Sequence, residues 1–302
     1  MSFNLRESLA SFLRSNPNKK FKARDMAIWL YETFPDAAAE KINNSTFLTG
    51  RDDLLQQLVA EIGARRLDIL KHHPQIRTDE GVKPRKYYWT ELTEEQEAGA
   101  TATSDPTAAL DVALKVSEAE LYPKLIDYLQ SELSTHGSRI DERRASNTRG
   151  GGGNKWLFPD IVGVKLLVGS FHPEVKTLVR ELREPDTIIS SYEVKLKLNI
   201  SNVRETYYQA VSNSSWAHLG YLVAAEINGA ETISELELLY SMHGIGVIRL
   251  DPLSPSESSI LIPARPKHQL EWAMCDRIAK ENPDFLRFLK RLRHYHQTGD
   301  LY

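Results

Sequence analysis

The chain has 302 residues, of which 41% are hydrophobic and 26% are charged, and its formal net charge is −3. These values are typical of a globular protein of about two domains and argue against a histone-like DNA coat. The single cysteine, Cys275, excludes an internal disulfide framework and a cysteine metal cluster, so we expect a reducing, cytoplasmic setting.

The first twenty residues contain no long apolar run followed by a small-residue cleavage site. No stretch of the sequence approaches the ~20 apolar residues that span a bilayer. We therefore expect neither a secretory signal nor a membrane partner.

Residues 1–90 have the pattern of three helices followed by a β-hairpin. Apolar residues at helical spacing predict helices over residues 5–13, 23–34 and from Arg51 onward. The hairpin is predicted from about Ile69 to Trp89, with a turn at residues 79–81. Three helices and a hairpin are the order of a winged-helix domain.

Basic residues exceed acidic ones in residues 1–90, whereas acidic residues are in excess over the rest of the chain. A basic reader beside an acid-lined active site suits a nucleic-acid enzyme, although ordinary surface variation also explains the difference. In a winged helix the third helix enters the major groove and the hairpin touches phosphate. The candidate DNA contacts are Arg51, Gln57 and Arg65 on or after the third helix and Lys83, Arg85 and Lys86 on the hairpin. A solvated face or a protein-binding surface is the alternative.

Residues 91–111 have the composition of a linker, since they lack aromatic residues and are rich in Ala, Thr and Glu. We therefore place a domain boundary here and expect a second domain over residues 112–302. Strands alternate with helices in this part, which predicts an α/β fold. The predicted helices are 112–133, 172–182, 203–211, 233–242 and 269–295, broken at Pro283, and the strands are 157–168, 188–200, 221–227, 246–250 and 260–263.

Four polar positions on separate predicted elements form a candidate site. They are Glu118 on a helix, Asp160 at a strand, Glu193 with Lys195 on the next strand, and Gln209 on the following helix. Mg²⁺ prefers carboxylate oxygens and keeps several waters, and a neighbouring lysine can hold or activate the attacking water. Since strand residues alternate between faces, Glu193 and Lys195 point to the same side. The ordered set predicts metal-dependent hydrolysis of a phosphodiester.

Two other acids near these positions are interpreted differently. Glu118 lies on the apolar stripe that continues to Leu125, where a buried charge needs a reason such as a metal. Glu120 lies on the polar face and is predicted to be solvated. Asp186 precedes Glu193 by only a few residues, so along one extended strand the two would lie over ~20 Å apart. A tight hairpin would bring them together, but it would interrupt residues 187–189, which have the pattern of a strand.

A glycine-rich stretch at residues 150–153 is surrounded by basic residues. These are Arg139, Arg143, Arg144, Arg149 and Lys155. Either a basic loop that grips phosphates or an ordinary surface loop explains them. Residues 213–216, which follow Gln209, are interpreted as a helix end and turn in preference to a substrate-binding segment.

The ordered set resembles the PD-(D/E)xK nuclease superfamily, which shares a restriction-endonuclease-like αβββαβ core. The segments ELYPKLIDYL, NKWLFPDIVGVK, SYEVKLKL and YYQAVSNSSWAHLGYLVAAE resemble a bacterial family of HrgA-like restriction-type nucleases. Residues 1–90 resemble, more loosely, the HARE-type helix-turn-helix domain. The resemblance implies that Asp160, Glu193 and Lys195 form the catalytic core, supported by Glu118 and Gln209.

These observations predict an α/β nuclease domain, a mixed sheet flanked by helices, behind an N-terminal winged-helix domain. The expected activity is cleavage of double-stranded DNA in restriction or defence, with Mg²⁺ or substituting Mn²⁺ bound by Asp160, Glu193 and Glu118 and no organic cofactor. Cutting both strands usually needs two active sites, with which a homodimer is compatible. A DNA-binding regulator with a non-catalytic nuclease fold and a ribonuclease remain alternatives.

Overall fold

A computed structural model describes residues 4–17, 19–45, 50–79, 84–91, 117–146, 154–182, 184–299 and 301. Its contacts divide the chain into two compact units. Unit 1 contains residues 1–116 and 251–260, and unit 2 contains residues 117–250 and 261–302. The predicted linker at 91–111 falls almost entirely outside the described residues.

The described residues of unit 1 form five helices and a small antiparallel sheet. The helices are α1 (Leu5–Arg14), α2 (Ala23–Thr33), α3 (Pro35–Asn43), α4 (Arg51–Ala64) and α5 (Arg66–His72). The strands β1 (Phe21–Lys22), β2 (Ile76–Asp79) and β3 (Lys86–Trp89) pair in the order β1-β3-β2. Tyr87 of β3 is therefore paired with both Phe21 and Thr78.

The core of unit 1 follows from the apolar stripes of its helices. Leu5, Leu9 and Leu13 bury one face of α1, and Leu54 and Leu58 do the same for α4. Burial of such stripes supplies the main stabilisation of a small helical domain. The prediction of a long hairpin from Ile69 is wrong at its start, because residues 66–72 form α5 and only residues 76–89 contain the strands.

A ten-residue segment from late in the chain, residues 251–260, belongs to unit 1. Within this segment, Glu257 is only 4% exposed. Its carboxylate accepts hydrogen bonds from Arg85 Nη1 at 2.8 Å and from the Tyr87 hydroxyl at 2.9 Å. Gly63 of α4 allows this approach, since a Cβ there would lie 3.0 Å from Glu257 Oε2. The buried ion pair explains why the segment packs with residues far away in sequence.

The second sheet has six strands in the order β4-β5-β6-β7-β8-β9, is mixed, and belongs to unit 2 except for the first two residues of β9. The first three strands are antiparallel, and β6, β7 and β8 run parallel to one another. A parallel pair needs a crossover connection, which a helix supplies between β6 and β7. The strands are β4 (Thr135–Arg139), β5 (Ile161–Leu166), β6 (Thr187–Leu198), β7 (Leu219–Ile227), β8 (Gly246–Arg249) and β9 (Ser259–Ile262).

Among the residues of unit 2 that the structure describes, six helices accompany this sheet. The element order begins α6, β4, β5, β6, α8, β7, and α7 is inserted between β5 and β6. The C-terminal helices bury Phe285 and Ile278 against Trp216 and Val162 of the same unit. The helices are α6 (Glu118–Leu133), α7 (Pro173–Glu181), α8 (Val203–Asn213), α9 (Ala230–His243), α10 (Trp272–Glu281) and α11 (Pro283–Thr298).

Two predictions for unit 2 differ from the structure. The strand predicted from Leu157 begins at Ile161, because residues 154–156 form a single helical turn. The strand β4 was not predicted, because its sequence THGSR has little β-propensity. It pairs in register with β5, and Ser134 in a left-handed conformation makes the turn into it.

None of the helices in the described part of the chain is long and apolar enough to cross a membrane.

Candidate active site

Strand pairing brings Asp160 beside Glu193. Ile161 of β5 is paired with Tyr192 of β6, so Asp160, one residue earlier, lies next to Glu193 in the antiparallel register. The sequence expectation that these acids, distant in the chain, meet on neighbouring strands agrees with this pairing. Both side chains are buried, with exposures of 7% for Asp160 and 2% for Glu193.

Both carboxylate oxygens of Asp160 have hydrogen-bond partners. Oδ2 accepts from the backbone N–H of Val194 at 2.8 Å. Oδ1 accepts from the Tyr122 hydroxyl at 3.1 Å and lies 3.3 Å from Arg139 Nη1. These contacts fix the carboxylate of Asp160 against the Glu-Val-Lys segment.

The carboxylate of Glu193 is held by three side chains. Oε1 accepts from Lys195 Nζ at 2.7 Å and from Gln209 Nε2 at 2.5 Å, and Oε2 accepts from Asn213 Nδ2 at 2.8 Å. Gln209 and Asn213 lie four residues apart on α8 and therefore share one face of the helix. Glu193 and Lys195 lie on the same side of β6, as the strand alternation predicts.

The two α8 amides also fix the turn that precedes Asp160. Gln209 Nε2 and Asn213 Nδ2 donate to the backbone carbonyl of Lys155 at 3.1 and 3.0 Å. The oxygens Gln209 Oε1 and Asn213 Oδ1 are buried and accept no hydrogen bond from any residue that the structure describes. The amide pair thus joins Glu193 of β6, helix α8 and the 154–156 turn in one network.

Glu118 occupies the first turn of α6 and is half-buried. The Tyr122 hydroxyl lies 3.5 Å from Glu118 Oε1 and 3.1 Å from Asp160 Oδ1, so it links the two acids. Glu120 is exposed and accepts from Ser117 N and Oγ at 2.7 and 2.8 Å, which caps the helix. The sequence assigned these two acids to the faces that they occupy.

Electrostatics at the site favour retention of protons by the acids. Burial, followed by the charge of Asp160, raises the pKa of Glu193 to about 8. Burial also raises the pKa of Asp160 and, with the charge of Asp160, that of Glu118. Burial alone would lower the pKa of Lys195, but Glu193 and Asp160 outweigh it and raise the pKa, so Lys195 stays charged. A cation among these acids would favour their ionised forms.

The donor chemistry of the site fits a hard divalent ion. Asp160 and Glu193 offer buried carboxylate oxygens, and Mg²⁺ is commonly bound through one or two carboxylates with waters completing its shell. Within the described residues, however, no group of three or more His, Cys, Asp or Glu is placed to hold a metal together. The geometry therefore brings together two of the three proposed ligands and leaves Glu118 connected through Tyr122.

Sequence reasoning missed Tyr122 as part of the site, interpreted Asn213 as part of a helix end, and left Arg139 open between a phosphate-gripping loop and a surface loop. Tyr122 follows Glu118 by four residues and Asn213 follows Gln209 by four, so helical spacing was an available signal for both. Arg139 ends the unpredicted strand β4, and its place beside Asp160 depends on strand pairing that the sequence does not reveal.

The predicted DNA contacts of unit 1 have mixed outcomes. Arg85 is 5% exposed and paired with Glu257, so the prediction that it touches phosphate is wrong. Arg51 and Arg65 are exposed at the two ends of α4, while Gln57 on that helix is half-buried and donates to Glu61. Lys86 is half-buried at the start of β3, and Lys83 lies outside the described residues.

The basic residues of the glycine-rich region have acidic partners in unit 2. Arg143 is 84% exposed and contacts Asp141. Arg144 pairs with Asp284, and Lys155 pairs with Glu205 at 2.8 Å. Arg149 and the four glycines lie outside the described residues. Asp186 lies near Arg180 and His296 instead of the candidate site, consistent with the sequence argument against it.

Comparison of the chain with protein families, with curated proteins and with solved structures finds no match.

Proposed function

We propose that the protein is a metal-dependent endodeoxyribonuclease of the PD-(D/E)xK type. The observation that carries the proposal is the contact of Asp160, which directly precedes β5, with residues 193–195 of β6. Asp160 accepts a hydrogen bond from Val194, and Lys195 donates to Glu193. The element order of unit 2 around the mixed sheet supports the restriction-endonuclease-like αβββαβ core. Because fold alone does not imply activity, the proposal rests on the acid-acid-lysine set.

The residues of unit 2 have distinct roles in this proposal. Mg²⁺, when bound by Asp160 and Glu193, would offset charge that develops on the phosphate and lower the pKa of the attacking water. Lys195 has three N–H donors, of which one is directed at Glu193, so the others can hold the water and a phosphate oxygen. Gln209 holds the Glu193 carboxylate in one orientation, and Glu118 adds negative charge at the edge of the site.

Unit 1 is proposed to be a winged-helix domain that holds the duplex. Its helices and its antiparallel sheet in the order β1-β3-β2 are consistent with that fold. The exposed Arg51 and Arg65 are the candidate contacts that its geometry favours. In this proposal Arg85 instead stabilises the domain through Glu257.

Cleavage of supercoiled plasmid DNA with Mg²⁺ or Mn²⁺ tests the proposal. Wild type should nick or linearise the plasmid, and Lys195→Ala should slow cleavage by about 10²–10⁴-fold, the usual contribution of a positioned proton-transfer group. Lys197→Ala is the matched control, because Lys197 lies on the same side of β6 but is half exposed and pairs with Glu226. Equal cleavage by wild type and Lys195→Ala would overturn the assignment.

A substrate panel separates the alternatives. Cleavage of RNA but not of duplex or single-stranded DNA would identify a ribonuclease. Salt-sensitive DNA binding without cleavage of any substrate would instead identify a DNA-binding regulator with a non-catalytic nuclease fold.

A further inference from the structure

Arg139 contacts Asp160, one of the two proposed metal ligands. It is the last residue of β4 and is paired with Ile161, the residue after Asp160. Its Nη1 atom lies 3.3 Å from Asp160 Oδ1 and donates to the Asp160 backbone carbonyl at 2.6 Å. Nη1 also donates to the carbonyl of Ile140. The guanidinium is thus held directly against the carboxylate of Asp160.

The flat face of the Arg139 guanidinium has a second support. Its Cζ atom lies 3.8 Å from the centre of the Tyr122 ring, and the Tyr122 hydroxyl itself donates to Asp160 Oδ1. Nη2 lies 3.5 Å from Glu142 Oε2, and the Arg139 side chain is 25% exposed. Stacking on an aromatic ring holds an arginine in place without using its N–H donors. Arg139 can therefore turn its donors away from Asp160 while it stays at the site.

Arg139 and a divalent ion would have to share Asp160. Oδ2 already accepts from Val194 N, and Oδ1 faces both Tyr122 and Arg139. Two cations on one carboxylate repel each other, most strongly where burial limits screening by water. A guanidinium displaced from Oδ1 would keep Glu142, 3.5 Å from Nη2, as an anionic partner, and its Nη1 donors would be released beside the position where a phosphate must lie for hydrolysis. Arginine binds phosphate through paired N–H donors.

We propose that Arg139 is a phosphate-binding residue of the active site, and that in the free protein it competes with the metal for Asp160. The inference rests on the proposed nuclease function. In it, the partner of Arg139 changes from the Asp160 carboxylate to a phosphate when substrate binds.

Titration of Mn²⁺ into protein without DNA, followed by calorimetry, tests the competition. Arg139→Gln removes the charge, keeps a donor, and should bind Mn²⁺ about 3- to 10-fold more tightly than wild type. Arg139→Lys keeps the charge and should stay within about 2-fold of wild type. Arg204→Gln is the control, because Arg204 is 70% exposed and pairs with Glu235 on α9. The Arg139→Lys comparison also guards against a folding defect in Arg139→Gln.

The salt dependence of DNA binding tests the phosphate contact. Binding is measured with Mg²⁺ in a Lys195→Ala background, and a gel confirms that the duplex stays intact. Loss of one phosphate contact should reduce the magnitude of the slope of log K against log salt by about 0.9. Adding Arg139→Gln should produce this reduction, and adding Arg204→Gln should leave the slope unchanged.

The outcomes separate this inference from the proposed function. A wild type that binds Mn²⁺ and cleaves DNA, with unchanged metal affinity and salt slope in Arg139→Gln, overturns the role of Arg139 and leaves the nuclease proposal standing. Weaker Mn²⁺ binding by Arg139→Gln would also overturn the competition. A wild type that neither binds Mn²⁺ nor cleaves nucleic acid overturns both.

Discussion

The Oδ2 atom of Asp160 accepts a hydrogen bond of 2.8 Å from the backbone N–H of Val194. Val194 stands between Glu193 and Lys195, so this one bond fixes the acid that directly precedes β5 against the acid and the lysine of β6. Burial, and after it the charge of the neighbouring Asp160, raises the pKa of Glu193 to about 8. The two acids therefore form one electrostatic unit, whose protons and cations must be considered together.

Metal affinity should rise with pH. Because a metal binds ionised carboxylates, binding below about pH 8 releases the proton of Glu193. We expect Mn²⁺ affinity to increase by up to about tenfold per pH unit between pH 6 and 8 and to level off above that range. Calorimetry in buffers of different ionisation enthalpy measures both the affinity and the released protons. A pH-independent affinity over this range would contradict the raised pKa.

The stability of the metal-free protein should fall as pH rises, whereas its metal affinity increases. The ordinary pKa of a glutamate side chain is 4.5, whereas the pKa of Glu193 in the folded protein is about 8. Between these two pH values the folded state therefore binds more protons than the unfolded state. The free energy of unfolding contributed by Glu193 therefore falls as pH rises through this window. Urea unfolding at pH 5, 7 and 9 should show that, as pH rises, the wild type loses stability relative to Glu193→Gln, whose side chain does not titrate. A parallel response of both proteins would show that Glu193 has an ordinary pKa.

Asn213 should contribute to metal binding, because it donates a hydrogen bond to the Glu193 carboxylate. Asn213→Ala removes the donor to Glu193 Oε2 and one of the two bonds to the Lys155 carbonyl. Residues that orient metal ligands typically contribute 10- to 100-fold to metal affinity or activity, and we expect a loss in that range. Tyr208→Ala, which truncates an exposed side chain of the same helix, is the control. If both variants bind Mn²⁺ as wild type does, Asn213 does not position Glu193.

The buried pair of Arg85 and Glu257 should be essential to the stability of unit 1. Arg85→Met leaves Glu257 buried without its guanidinium, and breaking a buried pair on one side costs about 3–5 kcal/mol. The double variant Arg85→Met with Glu257→Leu should recover part of this loss, because it removes both charges. Denaturant unfolding followed by circular dichroism measures each variant. A double variant less stable than Arg85→Met alone would contradict this explanation.

Substitution of Gly246 should destabilise the protein, because the neighbouring atoms leave no room for a side chain. A Cβ at Gly246 would lie 2.6 Å from the backbone nitrogen of Ala264 and 2.5 Å from the Tyr221 ring. Gly246→Ala should therefore destabilise the protein by about 1–3 kcal/mol, the usual cost of overpacking. Gly169→Ala, whose Cβ would meet only Leu166 at 3.2 Å, is the milder comparison in thermal unfolding. Equal melting temperatures for the two variants would show that the backbone around Gly246 yields easily.

Strong periodicity made the long elements of unit 2 predictable. The helix over 203–211 and the strand over 188–200 were located to within two residues at either end, because each has a clear apolar pattern. The placement of Glu193 beside Lys195 followed directly from strand alternation. Strand β4 and the single turn at 154–156 lack such a pattern and depend on tertiary contacts.

Residues whose role depends on another part of the chain were beyond sequence reasoning. Arg85 resembles a basic residue of a hairpin, and only the packing of Glu257 shows that it is buried. The sequence groups Arg139 with a basic loop next to Asp160, and only strand pairing shows that its guanidinium contacts the Asp160 carboxylate directly. The local sequence pattern predicts the secondary-structure element on which a residue lies, but the residue it contacts depends on packing between distant parts of the chain.

Titration of Mn²⁺ into wild type, Asp160→Asn and Glu193→Gln most directly tests the claim that these two acids share one ion. Wild type should bind Mn²⁺ at this site, and each single substitution should weaken binding by at least tenfold, with no further large loss in the double variant. Wild-type affinity in either single variant would contradict the shared site.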